Sequence, residues 1–342
     1  LIINKFSKIK KSIVWKYFLL LIVKPIYQFL WEYIINIEGK ILYFKWFYNN
    51  KRKYFNFNSR DQLLLSDELS FNEIAKEILS KCNYEILNKS REDIKNRNTN
   101  SNLSNSGLKA YKNNLNYLLE TSIKKKIFEY ACSEKIISTA AKYLKVFPTL
   151  NRIEVYHNIP NQSEKVRGAM MWHRDDFGYK SLDLFIAITD IDDENGPLYS
   201  VDKREKLGVF AKFSETINNP TSGERGKIED QKFETYLKKM GCVILKGKTG
   251  TGLFIDSFTT YHKGGQCLSK ERIMLRLSYT TPDAINLDDN SEELKFYDKY
   301  SKNSMIDNKY INFLLFKKKI FFNKLVSKNS LLYVYRLLHY KI

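Results

Sequence analysis

Short apolar runs alternate with turn residues through the second half of the chain, a pattern typical of β-structure. Gly, Pro, Asn and Asp separate the runs. They are Ile153–Tyr156, Gly168–Trp172, Leu182–Thr189, Cys242–Leu245, Leu253–Ile255 and Ile273–Tyr279. Many short strands with turn signals between them favour a barrel or a sandwich.

Helical spacing of apolar residues precedes these strands. Ser70, with Glu73 three residues later, has the form of a capping box and predicts the start of a helix. A second helical region runs from Ile123 to Leu144. Between the two, residues 88–106 are polar and rich in Asn and Ser, which predicts a loop and a domain boundary.

The formal net charge of +19 is concentrated at the two ends of the chain. Residues 1–60 hold 12 Lys and Arg against 2 Asp and Glu, and residues 301–342 hold 9 against 1. The preferred interpretation is that the ends are packed helices with solvated faces, and that their many lysines reflect a general bias of composition towards Lys and Asn. Contact with an anionic membrane surface is the second interpretation, and nucleic acid is the least favoured.

Cysteine use and apolar run length indicate a cytoplasmic protein, with peripheral membrane contact through the basic ends left open. The four cysteines are scattered, unlike those of a zinc site or a disulfide framework. The apolar run Tyr17–Val23 lies between lysines and is far shorter than the roughly 20 residues that span a bilayer. No small-residue cleavage site follows it.

Candidate metal ligands stand at the ends of two predicted strands. His173 and Asp175 are two residues apart, so their side chains share a face of an extended segment. His262 follows a later strand. Two histidines and one carboxylate form the facial triad of non-haem iron(II) oxygenases, which leaves coordination positions open. We therefore take these three as catalytic Fe(II) ligands, with the open positions suited to the keto acid end of 2-oxoglutarate and to O2.

The far carboxylate of 2-oxoglutarate needs a cation, and the last predicted strand offers two. Alternation places Arg272 and Arg276 on the same face. A planar guanidinium binds a carboxylate through two parallel hydrogen bonds. Arg272 is the first candidate for this co-substrate anchor and Arg276 is the second.

Several segments around these residues resemble the phytanoyl-CoA dioxygenase family, over about residues 125–282. The matching segments are Met171–Asp176, Leu184–Ile191, Glu194–Pro197, Gly252–Asp256 and His262–Gly264. The resemblance implies a double-stranded β-helix, iron held by His173, Asp175 and His262, and 2-oxoglutarate anchored by Arg272. It also implies hydroxylation of an unactivated carbon with release of succinate and CO2. Ser200–Asp202 departs from the Gly-Ser-His that often follows the Gly-Pro turn.

The predicted architecture is a mainly β catalytic core with helical additions, a jelly-roll or cupin-like double-stranded β-helix barrel. Its parts are a helical basic extension with a polar linker (1–107), the dioxygenase domain with flanking helices (108–285) and a helical basic extension (286–342). The expected substrate is a small or lipid-like molecule, and desaturation or epimerisation is an alternative outcome. A catalytically silent barrel that binds membrane or nucleic acid through its basic ends is the alternative function. The oligomeric state is left open.

Overall fold

The computed structural model describes residues 37–48, 52–57, 62–66, 68–99, 112–160, 168–170, 172–173, 175, 180–201, 241–257, 259–281, 310 and 314. Most of the two basic ends lies outside these residues. The proposed roles of those ends in membrane or nucleic-acid contact therefore stay predictions.

Five α-helices, one short 3-10 helix (Gly168–Met170) and nine strands make up the regular structure of the described regions. The helices are α1 (Ile37–Tyr48), α2 (Leu69–Lys81), α3 (Tyr84–Thr99), α4 (Thr121–Ala131) and α5 (Glu134–Leu144). The first five strands are β1 (Gln62–Leu65), β2 (Lys112–Asn114), β3 (Thr149–Asn158), β4 (Ser181–Ala187) and β5 (Leu198–Val201). The last four are β6 (Cys242–Leu245), β7 (Gly252–Ile255), β8 (Tyr261–Gly264) and β9 (Arg272–Thr280).

The strands form two antiparallel sheets. The large sheet has the order β1-β7-β4-β9-β3-β2, and the small sheet has the order β6-β5-β8. Within the described residues the two sheets share no strand and do not close into one hydrogen-bonded barrel. The fold is therefore a mixed α/β structure built on antiparallel sheets.

Strand alternation divides the apolar residues of the large sheet between two cores. On β9, Ile273, Leu275, Leu277 and Tyr279 join the core that the helices cover. Met274 belongs to a second core, together with residues of both sheets: Tyr156, Phe185, Leu198, Leu245, Leu253 and Ile255. The second core therefore lies between the sheets, and we call the side of the large sheet that faces it the inner face. The predicted alternation along β9 is confirmed.

The described part of the predicted N-terminal extension packs into the same structure. Trp46 of α1 is buried against Phe147, with ring centroids 5.4 Å apart, and its indole N–H donates a 2.8 Å hydrogen bond to Ser138. β1 pairs along its length with β7. Residues 37–99 thus contribute a strand and three helices to the core of the β-rich region.

Two local predictions in this segment are wrong. The helix predicted to start at Ser70 is present as α2, which begins at Leu69, but its capping box is not formed. Glu68, before the helix, makes no side-chain cap, and the Ser70 hydroxyl donates to the Glu68 carboxylate. Residues 84–99 form helix α3, so the loop predicted for residues 88–106 is wrong over residues 88–99, and its remainder lies outside the described residues. Among the residues of α3 whose burial is described (84–96), the buried ones are Ser90 and Ile94, which lie one turn apart. The helix is held by these tertiary contacts, which polar composition does not reveal.

Among the described residues, no helix combines the length and apolar character needed to cross a membrane.

Candidate metal centre

The backbone brings the two candidate histidines together. His173 and His262 form an antiparallel bridge, in which each backbone N–H donates to the carbonyl of the other, at 3.0 and 2.9 Å. Directly opposed residues of an antiparallel pair project to the same side. Their imidazole centroids are accordingly 4.4 Å apart, although the residues are far apart in sequence.

Asp175 completes the group from the same segment as His173. Its backbone N–H donates to Ser257 at 2.8 Å, which ties it to the loop before β8. Its Oδ1 lies 3.7 Å from His173 Nε2, and its Oδ2 lies 4.0 Å from His262 Nε2. One ligand atom from each of the three residues lies within 4.8 Å of the others. The structure therefore brings together the predicted His, Asp and His residues in a set that fits a transition metal.

His262 is set up to offer Nε2. Its Nδ1 lies 3.3 Å from the Thr260 carbonyl, which only accepts hydrogen bonds, so Nδ1 carries the proton. Burial lowers the pKa of His262, and the nearby Asp175 offsets part of that effect. The ring is therefore neutral near pH 7, with the Nε2 lone pair available for a metal.

Asp175 is held as a carboxylate by Arg276. Burial by itself raises the pKa of Asp175, but the Arg276 guanidinium outweighs it and keeps that pKa well below its usual range. Arg276 Nη2 lies 2.5 Å from Asp175 Oδ2 and 2.6 Å from Asp183 Oδ2. Oδ1 of Asp175, on the side of His173, is the oxygen that this contact leaves to a metal.

The two candidate anchor residues differ in their partners. Arg276 is engaged by two carboxylates, whereas Arg272, 4% exposed, donates to Asn158 at 3.3 Å through Nη2. Among the described residues, Arg272 Nε and Nη1 are buried without a hydrogen-bond partner. A buried guanidinium with unpaired donors fits an anionic ligand, because an unpaired buried donor is costly. Arg272 therefore suits an anionic ligand better than Arg276 does.

No protein-family model matches the chain, and no curated protein matches it either. Similar solved structures include the non-heme alpha ketoglutarate dependent carbocyclase SnoK from nogalamycin biosynthesis, at 11% identity and a TM-score of 0.38, with 72% of this chain and 85% of that chain covered. EctD from S. alaskensis, with 2-oxoglutarate and 5-hydroxyectoine, is 13% identical with a TM-score of 0.40. The match covers 66% of this chain and 73% of the EctD chain. The epimerase SnoN from the same nogalamycin biosynthesis is 16% identical with a TM-score of 0.34, over 51% of this chain. The chain spans 63% of the length of SnoN. These similarities assign no activity to this chain.

The predicted Glu194–Pro197 turn docks against the segment that follows β8. Gly196 has a φ of +70°, and a Cβ there would lie 2.5 Å from the backbone of Gln266. The Gly265 N–H donates to the Pro197 carbonyl at 2.7 Å. Glycine is required at position 196 both by the left-handed backbone and by this close approach. The contact fixes the end of the strand that carries His262.

His157 lies away from the metal group. It occupies the helix-covered side of β3, with Nδ1 3.0 Å from the Ser90 hydroxyl and Nε2 3.1 Å from the Glu271 carboxylate. Arg91 binds the same carboxylate through two nitrogens, at 2.6 and 2.7 Å. His157 is thus part of a structural network between α3 and the strands.

Sequence reasoning missed Asp183 and Asn158, which contact the two arginines. Asp183 is fully buried on the inner face of β4, where its register partner on β9 is Ser278. A lone carboxylate in the otherwise apolar run Leu182–Ala187 was the available signal, since a buried charge requires a partner. Asn158, at the end of β3, gave no comparable signal.

Proposed function

We propose that this chain is an oxygenase that depends on Fe(II) and 2-oxoglutarate, with His173, Asp175 and His262 as the metal ligands. The observation that carries the proposal is the convergence of these three side chains on the side of the sheets where Arg272 is buried with unpaired donors. Two of the ligands are already in the protonation state that a metal needs, because His262 is neutral and Asp175 is ionised.

We further infer that the two sheets are those of a double-stranded β-helix. After β3 in the large sheet, His173 bridges to β8 of the small sheet and β4 returns to the large one. β5 and β6 lie in the small sheet, β7 in the large, β8 in the small and β9 in the large. This alternation between facing sheets is the connectivity of a jelly roll. It supports the barrel predicted from sequence.

When bound, iron and 2-oxoglutarate would supply the activation of O2 that oxidises an unactivated C–H bond. The protein's own residues position the groups. His173, Asp175 and His262 would hold the metal from one side and leave the rest of its coordination sphere open. Arg272 would bind the far carboxylate of 2-oxoglutarate, with Asn158 fixing the guanidinium. The apolar residues between the sheets, which include Phe185 and Met274, would exclude water from the reaction.

Hydroxylation of a small or lipid-like substrate is the outcome we propose, because Asp175 keeps a carboxylate at the position that related halogenases leave open for chloride. Desaturation and epimerisation use the same ligands and differ in where the substrate carbon lies. A binding module without catalytic activity is disfavoured, since such a module has no need of both a metal-ligand set and a buried arginine, Arg272, with unpaired donors.

Anaerobic titration with Fe(II) and then 2-oxoglutarate tests the proposal. A chelate of 2-oxoglutarate on iron(II) gives a weak visible charge-transfer band, which we expect in the unmodified protein and not in the His173→Ala variant. Lys248→Met, which removes an exposed positive charge, is the matched control and should leave the band intact. Absence of iron binding in the unmodified protein would refute the oxygenase and leave the binding-module alternative.

A further inference from the structure

A cavity of about 420 Å³ lies against the small sheet, and the metal-ligand group does not line it. The side chains that matter to its chemistry are Trp172, Tyr199, Ile244 and Lys263, with Met170 and Cys242 beside them. The volume is that of a site for a small organic molecule.

Strand register places this cavity on the opposite side of the small sheet from the metal ligands. Tyr199 is paired with both Lys263 and Ile244 across neighbouring strands, so these three share one face. Leu198 and Leu245, which are paired and come next to Tyr199 and Ile244 in the sequence, point the other way, into the core between the sheets. His262 precedes Lys263 on β8, so its side chain also lies on that inner side. The sheet itself therefore separates the cavity from the metal centre, and we call it the outer cavity.

Trp172 supplies the first indication of a ligand. It is 2% exposed, and among the described residues its indole N–H has no hydrogen-bond partner. An unpaired buried donor destabilises the protein, so a ligand whose acceptor atom reaches the indole N–H would relieve that cost. Indole nitrogens donate only, which sets the polarity of the group that would bind there.

Lys263 supplies the second indication of a ligand. Its ammonium lies 5.1 Å from the Trp172 ring and 5.6 Å from the Tyr199 ring, at the wall of the cavity. Among the described residues that line the cavity, Lys263 is the one that carries a formal charge. Aromatic faces and Ile244 make up much of the remaining wall. The outer cavity thus combines a cation, a buried donor and apolar surface.

We propose that the outer cavity binds a small organic anion with an aromatic or otherwise apolar body, such as an aromatic carboxylate or sulfonate. The anionic group is placed by the Lys263 ammonium and the Trp172 indole N–H, and the apolar body packs on Tyr199 and Ile244. Charge-assisted hydrogen bonds from these two donors give such a ligand its orientation. The proposal does not depend on the metal or on the oxygenase function.

The experiment is titration of the full, metal-free chain with the fluorescent sulfonate 8-anilinonaphthalene-1-sulfonate. We expect one saturable site with enhanced fluorescence. Lys263→Met should weaken binding about tenfold or more, because it removes the charged partner. Trp172→Phe should weaken it several-fold while retaining the aromatic face. Lys248→Met, the loss of an exposed charge elsewhere, should leave the affinity unchanged.

Three results would overturn the proposal. The first is the absence of saturable binding. The second is saturable binding that neither Lys263→Met nor Trp172→Phe alters. The third is loss of binding in Arg272→Met, which would place the sulfonate on the inner face instead. Because Lys263 is partly exposed, its substitution should not prevent folding, and circular dichroism checks this for each variant. None of these results bears on whether iron binds.

Discussion

A single nitrogen of Arg276 connects Asp175 to Asp183. Nη2 lies 2.5 Å from Asp175 and 2.6 Å from Asp183, and Asp183 is fully buried. The two carboxylates compensate the charge of the buried guanidinium. Burial by itself lowers the pKa of Arg276, but the carboxylates, Asp183 more than Asp175, raise that pKa well above its usual value. The arrangement orients one oxygen of Asp175 and leaves the other for a metal, which makes Arg276 and Asp183 positioning residues.

Asp183→Asn should therefore weaken iron binding about 10- to 100-fold, the usual effect of removing a partner of a metal ligand. Without the second carboxylate, Arg276 would bind Asp175 more strongly and compete with the metal. Chelator competition measures the affinity, and the absorption spectrum of the Co(II) form reports the ligand geometry. The exposed Asp190→Asn is the control. An unchanged Co(II) spectrum with only a lower melting temperature would show that Asp183 has a purely structural role.

Arg272→Lys should weaken 2-oxoglutarate binding at least tenfold and leave iron affinity nearly unchanged. Lysine keeps the charge but lacks the planar fork that binds a carboxylate through two parallel bonds. Isothermal titration of the iron-loaded protein with 2-oxoglutarate measures the effect. If Arg276→Lys reduced 2-oxoglutarate affinity more than Arg272→Lys did, while iron affinity stayed intact, the assignment of the anchor would have to be reversed.

Patterns local to one strand could be predicted, and contacts between strands could not. The alternation along β9 placed Arg272 and Arg276 on the correct face, because a strand repeats every two residues. Their different partners depend on the register of β9 against β3 and β4, which brings Asn158 and Asp183 beside them. No pattern within a single segment contains that register.

The error in α3 has a similar cause. Its polar composition favours a loop, yet Arg91 binds Glu271, which is 180 residues away in the sequence, and Ser90 contacts His157. Helix stability here comes from tertiary contacts more than from the residues' own preferences. The His173 and Asp175 pair was found because its two-residue spacing is itself the signal, and His262 because it follows a predicted strand.

The carboxylate of Glu271 should stabilise the fold in a pH-dependent way. Burial raises its pKa, but hydrogen bonds from Arg91 and His157 outweigh burial and lower the pKa to about 2. A folded-state pKa below the unfolded value gives stability that is present above about pH 4.5 and is lost as the pH falls towards 2. Since the side chain is 29% exposed, we expect on the order of 1 kcal/mol from this effect.

Glu271→Gln should accordingly lower the free energy of unfolding at pH 7, and its difference from the unmodified protein should shrink as the pH falls from 4.5 towards 2. Urea unfolding at a series of pH values measures this. Glu129→Gln, which breaks an exposed pair with Lys125, should change little at any pH. A difference for Glu271→Gln that stays constant down to pH 2 would contradict the contribution assigned to the carboxylate.

The buried hydrogen bond between Trp46 and Ser138 should link α1 to the core energetically. Ser138→Ala leaves the Trp46 indole N–H buried without its 2.8 Å partner, so we expect a loss of about 1–3 kcal/mol in the free energy of unfolding. In a Trp46→Phe background, the same serine substitution should cost much less, because the donor is already gone. Ser80→Ala, at an exposed hydroxyl of α2, is the control. Equal costs for Ser138→Ala in both backgrounds would show that the two side chains are not energetically coupled.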